Sequence, residues 1–247
     1  MSIRKPQTGM PDLAQQVYEK LRVGILDGEL PPGSPLSRRK LAELLGVSTL
    51  PVAGALQRLE TEGFVESRAR AGTRVKIPRA SEILGNYVLR EALESQAARL
   101  FATTAKPSQR KRLITHARKL DRAYALLDAK PNPSRHQQAL VEKQHVGFHI
   151  EIALGTGCQE LVDAIEKSRI LLRNWLFSRS GDYTSLPTGW HIRLAETLTS
   201  ATPLDADLAM RQHVTFRREE ILNHFAELKQ ADEDKIERGP QKAGARL

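Results

Sequence analysis

His145 and His149 stand four residues apart in a stretch of helical periodicity. That spacing projects both imidazoles from one face of a helix, where neutral ring nitrogens can hold one zinc-type ion at ~2.0–2.1 Å. Two ligands leave such an ion open, so further donors must come from other helices of a bundle. The competing reading is that each histidine is an ordinary hydrogen-bonded polar residue. His116, His136 and His224 match no comparable pattern and read as surface side chains. Glu142 and His145 have the Glu-x-x-His spacing of di-iron carboxylate bundles, but a second copy is missing. The chain has no His-Glu-x-x-His, no nucleophile elbow and no phosphate-binding glycine loop. No enzyme is expected.

A second chemistry is recognition of a polyanion. The 247 residues carry a formal net charge of +9, which speaks to association and not to fold. Residues 1–78 hold 12 basic and 8 acidic side chains and residues 79–247 hold 26 and 21, so the excess is spread along the chain. It is dense between Arg68 and Arg79, where Arg68, Arg70, Arg74, Lys76 and Arg79 occur without an acidic residue. A solvated basic loop and a nucleic-acid contact both fit that run.

The elements that would position these groups can be read from apolar spacing. Leu13, Val17, Leu21 and Ile25 step by four along one helix face that ends near Gly28. After the turn at Glu29–Gly33, Ser37 can cap a short helix with Leu41, Leu44 and Leu45 facing inward, closed by Gly46. Ser48 can cap a third helix, with Pro51 in its first turn and Val52, Ala55, Leu56 and Leu59 as its buried stripe. Residues 64–67 and 73–77 read as two short strands around a basic tip, a wing beside a helix-turn-helix. Beyond it six helices are expected, at about 82–104, 107–129, 136–155, 158–179, 188–201 and 203–229. Lys106, Arg110, Lys111, Arg112, Arg118, Lys119 and Arg122 read as a solvated helix face. The fold class is therefore mainly α: a winged helix-turn-helix of three helices and a two-stranded wing, then an all-α bundle. The expected domains are a flexible N-terminus at 1–11, the winged helix-turn-helix at 12–78, a linker at 79–82, a helical domain at 83–230 and a mobile tail at 231–247.

The ordered fragments Leu21-Arg22, Gly28-Glu29-Leu30-Pro31-Pro32-Gly33, Leu41-Ala42, Gly46-Val47-Ser48, Pro51-Val52, Ala55-Leu56 and Leu59-Glu60-Thr61-Glu62-Gly63-Phe64-Val65 resemble the DNA-binding domain of the GntR family of bacterial regulators. The second half resembles the helical effector-binding (FCD) domain of the FadR branch, through Tyr87–Glu94, Phe148–Ala153, His191 and His213. The resemblance implies a homodimeric transcription regulator, with repression the expected sense. Its affinity for a double-stranded operator would change when a small carboxylate binds the C-terminal domain. Arg90 occupies a position that often faces the effector in the family; pairing with Glu94 in its own helix is the other reading. Metal-binding relatives usually carry Asp where His145 stands. The resemblance thus implies a metal set of His145, His149, His191 and His213, in which imidazole replaces a carboxylate. An all-imidazole set brings no compensating charge and favours a divalent transition metal, zinc first with nickel or cobalt as alternatives, over manganese or magnesium.

Relatives usually place an arginine after the Ser of Gly-Val-Ser and an Arg-Glu pair after Pro-Val; Thr49, Ala53 and Gly54 stand there. The candidates for DNA contact are Arg38, Arg39, Ser48, Thr49, Arg58, Arg68, Arg70 and Arg74, with the wing and Arg38/Arg39 carrying more of the affinity. A sensory protein that has lost specific DNA binding is the alternative, and a metal-dependent bundle enzyme a more distant one. Cys158 is the only cysteine, so no intrachain disulfide can form. No stretch approaches the ~20 apolar residues of a membrane span, and a cytoplasmic protein without a membrane partner is expected.

Overall fold

The computed structural model describes residues 12–68, 72–176 and 185–237. The chain divides after Lys76 into two compact units. The first holds α1 (Leu13–Leu26), α2 (Arg38–Leu45), α3 (Thr49–Thr61), β1 (Val65–Arg68) and β2 (Gly72–Val75). The second holds α4 (Ala80–Thr104), α5 (Pro107–Asp128), α6 (Arg135–Leu154), α7 (Gln159–Leu176), α8 (Trp190–Ser200), α9 (Pro203–Thr215) and α10 (Arg218–Glu237).

In the first unit the apolar stripes of α1 and α3 meet, whereas Leu44 of α2, expected to face inward, and Leu13 at the start of α1 are exposed. Val17, Tyr18, Leu21 and Ile25 of α1 are buried, as are Val52, Ala55, Leu56 and Leu59 of α3, and the two helices pack together. The Ser37 hydroxyl accepts from the Lys40 amide at the start of α2. Gly46 ends that helix at φ 66°, a left-handed conformation that costs glycine nothing and sets the tight turn into α3. Ser48 stands at the first residue before α3, but its hydroxyl makes no capping bond. The wing is antiparallel, with Glu66 opposite Arg74 and Ser67 opposite Thr73. The segment after the Pro31–Gly33 turn joins it: the Leu36 amide donates to the Thr73 carbonyl at 2.8 Å and the Val75 amide to Ser34 at 2.9 Å.

In the second unit α4 packs against α6, α7, α8, α9 and α10. Its buried face mixes Ile83, Tyr87, Ala97, Ala98 and Phe101 with Arg90 and Glu94. Ser134 caps α6 by accepting from the Gln137 amide, and Thr202 and Asp205 cap α9 reciprocally. Arg110 is not part of a solvated face. It donates to the carbonyls of Ala102 and Ala105 at the end of α4 and of Thr199 in α8, groups that have no partner within their own helices. Gly155 ends α6 against α4, where an added Cβ would lie 2.2 Å from Phe101 Cδ2. Phe101 is fully buried and cannot swing away. Gly155→Ala is therefore expected to destabilise the domain by roughly 1–3 kcal/mol through overpacking, read as a lowered denaturation midpoint.

The helix expected at 203–229 is two helices, because the chain breaks after Thr215 and restarts at Arg218. The break lets Phe216 pack on Trp190, with ring centroids 4.6 Å apart. Helix α10 then continues through Glu237, into the segment read as a tail. Among the described residues no helix is long and apolar enough to cross a membrane.

Candidate metal centre, ligand cavity and DNA-contact surface

Three helices bring the four histidines together. Helix α6 supplies His145 and His149 from one face, α8 supplies His191 from its first turn, and α9 supplies His213. His149, His191 and His213 are buried. Ligand atoms of His145, His149 and His213 all lie within 4.8 Å of one another, so shifts below about 1 Å bring them onto an ion bound at ~2.1 Å. The His191 ring lies 4.8 Å from that of His145 and 5.3 Å from that of His213.

The outer partners fix which nitrogen faces inward. His191 Nδ1 lies 2.7 Å from Asp121 Oδ1, and His149 Nδ1 lies 2.6 Å from Glu94 Oε2. A carboxylate only accepts, so both rings carry their proton on Nδ1. For His145 the partner is Tyr124, 3.0 Å from Nδ1. The Tyr124 hydroxyl donates its own proton to Glu142 at 3.1 Å, so its oxygen accepts from His145. All three Nε2 lone pairs are thereby left for the interior. His145 and His149 present theirs to each other at 3.0 Å. His191 Nε2 is buried without a hydrogen-bond partner among the described residues, an arrangement that is costly unless something occupies the site. This donor set fits a transition ion.

The sequence reading missed Asp121 and Tyr124, and named Glu94 and Glu142 without this role, Glu94 only as a partner of Arg90 and Glu142 only as half of a Glu-x-x-His pattern. They change the charge argument, because the anions that an all-imidazole set lacks stand one residue further out, against the histidines. Asp121 also accepts from the backbone amides of His191 and Ile192, so it anchors the start of α8 as well as the ring. Asp121→Asn is expected to weaken metal affinity about 10- to 100-fold, measured by competition with a chelating dye.

Burial pushes the His145 imidazole down to about 4, and burial first, then neighbouring cations, holds His149 well below its ordinary range. Burial also holds His213 well below and lowers His191. Each is a neutral donor near pH 7. Burial alone would raise the Glu94 carboxyl, but Arg169 and Arg90 overcome it and hold the group well below the usual carboxylate range. For Glu142 burial is likewise reversed, by His145, Arg169 and the Tyr124 hydroxyl, and the net direction is down. In the metal-free protein, unfolded imidazoles take up protons below ~6.5 while His145 resists until about 4. The unfolded state binds more protons over that interval, so stability is full above ~6.5 and is lost as pH falls toward 4. Thermal unfolding of chelator-treated protein across that range is expected to show a falling midpoint.

Beside the histidines lies a cavity of about 50 Å³, lined by His145, His213, Arg90, Arg169, Arg217 and Glu142, with Tyr87, Trp190 and Phe216 among its apolar walls. A water needs roughly 10–15 Å³, so the space suits a molecule of a few heavy atoms. Arg90 makes the pair with Glu94 in its own helix and also reaches the cavity. Its Nε donates to Glu94 at 2.9 Å, and the same side chain lines the cavity. Arg169 donates to Glu94 at 2.6 Å and stays cationic, with burial pushing its guanidinium down to about 10. Burial raises the Tyr87 phenol to about 12, a neutral donor in the wall. His116, read as a surface residue, is half-buried and lies 2.7 Å from Glu151, while His136 is exposed.

In the first unit Arg38, Arg39, Ser48 and Thr49 are exposed. Arg58 is committed within the domain: its Nε donates to Glu62 at 3.1 Å, its Nη1 to Gln15 at 2.5 Å, and its guanidinium stacks 3.8 Å from the Tyr18 ring centroid. On the wing Glu66 takes both Arg68, at 3.1 Å, and Arg74, at 2.7 Å. Arg68 stays half-exposed, whereas Arg74 is largely covered. Arg70 lies outside the described residues.

A winged helix-turn-helix joined to a helical domain with a histidine-lined cavity defines a class: DNA-binding regulators with a sensory domain. Residues 13–75 match the profile of the bacterial regulatory proteins of the gntR family, and residues 86–216 match the FCD domain. The chain belongs to the GntR family of bacterial regulatory proteins and carries an FCD domain. It is 37% identical over 90 residues to a probable D-xylose utilization operon transcriptional repressor of Paenarthrobacter nicotinovorans, covering 36% of this chain and 40% of that protein. It is 24% identical over 232 residues to the transcriptional repressor RspR of Escherichia coli, covering 89% and 92%. The matches to the first relatives thus span less than half of those proteins, whereas RspR aligns along nearly its whole length. Among solved structures, a regulator from Rhodococcus sp. RHA1 superposes with a TM-score of 0.69 at 20% identity, covering 85% of this chain and 97% of that one. E. coli McbR/YncC gives 0.64 at 22% identity, covering 87% and 99%. Both share the fold.

Proposed function

We propose that this regulator is a homodimeric cytoplasmic repressor whose C-terminal domain holds a divalent transition ion, zinc first, and releases the operator when a small carboxylate binds beside the ion. His191 Nε2, buried without a hydrogen-bond partner among the described residues, on a ring 4.8 Å from that of His145 and 5.3 Å from that of His213, carries the metal reading together with the His145, His149 and His213 group. His145, His149, His191 and His213 would hold the ion, which when bound would supply a Lewis-acidic positive charge. Arg90 and Arg169 stand in the cavity wall with their orientation fixed by Glu94, and an anion entering there would meet their guanidinium groups, that of Arg217 and the neutral Tyr87 phenol, with the Glu142 carboxylate also in the wall. The cavity volume limits it to a short acid. The matching repressor-named relatives support the sense of regulation.

The test is a mobility-shift titration over the DNA upstream of the protein's own gene, with zinc and with a panel of short carboxylates. A sequence-selective shift that one carboxylate weakens, in wild type but not in an Arg90→Met protein, is the expected result. A selective shift indifferent to zinc and to every acid would overturn the sensory reading.

A further inference from the structure

The outward surface of α3 carries unusual chemistry for a helix that reads DNA. Thr49, Leu50, Gly54 and Gln57 are exposed and Ala53 is half-exposed, while Leu50 is 80% exposed although apolar. The one basic residue of α3 is Arg58, and it is held by Glu62, Gln15 and the Tyr18 ring. No guanidinium of this helix is therefore available for guanine O6 and N7, the usual arginine target. What the first two turns offer instead is a Thr methyl, an isobutyl group and an Ala methyl, followed one turn later by the Gln57 amide.

The N-terminal residues of a recognition helix meet base edges in the major groove. The only apolar feature there is the thymine C5-methyl group, and a glutamine amide pairs with adenine N6 and N7. An exposed leucine could equally mark a protein contact. The flank argues for DNA: Arg38, Arg39 and Lys40 are exposed on the preceding helix, and a cationic border around an apolar spot matches phosphates around methyl groups.

We propose that the exposed Thr49, Leu50 and Ala53 surface of α3 reads thymine methyl groups, with Leu50 as the main specificity-determining residue, so that A·T pairs lie under this helix in each half-site. The inference rests on DNA binding through the helix-turn-helix. Phosphate contacts then fall to Arg38, Arg39, Lys40 and Arg68, which set affinity without setting sequence.

The experiment selects bound duplexes from a randomised pool with full-length, zinc-loaded protein, then replaces each thymine of the enriched half-site by deoxyuridine. That change removes one methyl group and keeps base pairing. At one or more positions affinity is expected to fall about four-fold, the worth of one buried CH₂. Leu50→Ala, which removes no core packing, is expected to weaken the thymine duplex by a similar or larger factor and to abolish the difference between thymine and uracil. Arg39→Ala is expected to weaken both duplexes equally and to lower the salt slope by about 1. Half-sites with G·C under α3, uracil without effect at every position, or a Leu50→Ala protein that still distinguishes the two bases would overturn the proposal. Failure to enrich any sequence would overturn it together with sequence-specific DNA binding, a separate and recognisable result.

Discussion

A His149→Ala protein is expected to bind no zinc under conditions where wild type binds one equivalent per chain, and to lose the thermal shift that zinc produces. His149 is 2% exposed and belongs to the three-histidine group. Its Nε2 faces that of His145 at 3.0 Å, so its removal takes away one lone pair and the neighbour that defines the site. A ligand that binds only the folded state at 100 times its Kd stabilises by ~2.7 kcal/mol. For a chain of this size that corresponds to roughly 5–10 °C in Tm. Elemental analysis and calorimetry read the two effects separately. His116→Ala serves as the control, because His116 is held by Glu151 and stands outside the group. A His149→Ala protein that retained its metal and its zinc-dependent shift would remove the centre as described.

The part of this site legible in the sequence was the part carried by one helix. His145 and His149 lie on α6, and a spacing of four fixes a shared face without any tertiary information. His191 and His213 come from α8 and α9, and only the family resemblance associated them with the pair. The carboxylates could not be found by spacing. Asp121 lies 70 residues from His191, and Glu94 lies on α4, 75 residues from Arg169. Glu142 was visible only as half of a di-iron pattern, whereas in the structure it accepts from Tyr124 behind His145.

The helices were legible where apolar spacing and capping residues agree, as at Ser37, Ser134 and Thr202. The split of the last predicted helix was not, because Phe216 and Arg217 are neither glycine nor proline and nothing local marks a stop. The tilted packing of Phe216 on Trp190, a tertiary contact, accompanies the break. The wing shows the same limit on a smaller scale. The run from Arg68 to Arg79 holds no acid, yet strand register sets Glu66 directly opposite Arg74 and in reach of Arg68. A basic tip in sequence is thus partly neutralised in space.

Glu94→Ala is expected to be the most destabilising single substitution at the site. Glu94 is 1% exposed and accepts from Arg90 at 2.9 Å and Arg169 at 2.6 Å, with His149 Nδ1 at 2.6 Å. Truncation leaves two guanidinium groups buried without their anion, a change that costs about 3–5 kcal/mol, a large share of a total stability of ~5–15 kcal/mol. A Tm lower by roughly 6–20 °C, or insoluble expression, is expected; a shift below ~1 °C would show that the cluster is not paired as described. Stability alone does not explain why the core keeps these charges, since replacing a whole buried ionic cluster by apolar side chains of similar volume is often neutral or stabilising. The triple substitution Arg90→Met, Glu94→Leu and Arg169→Met therefore separates the two roles. It is expected to recover most of the lost stability while abolishing the response of DNA binding to carboxylates. Retention of both would mean that the cavity takes its anion without these guanidinium groups. Loss of the response in a stable protein would mean that Glu94 is kept because it aims Arg90 and Arg169 at the cavity and fixes the proton on His149.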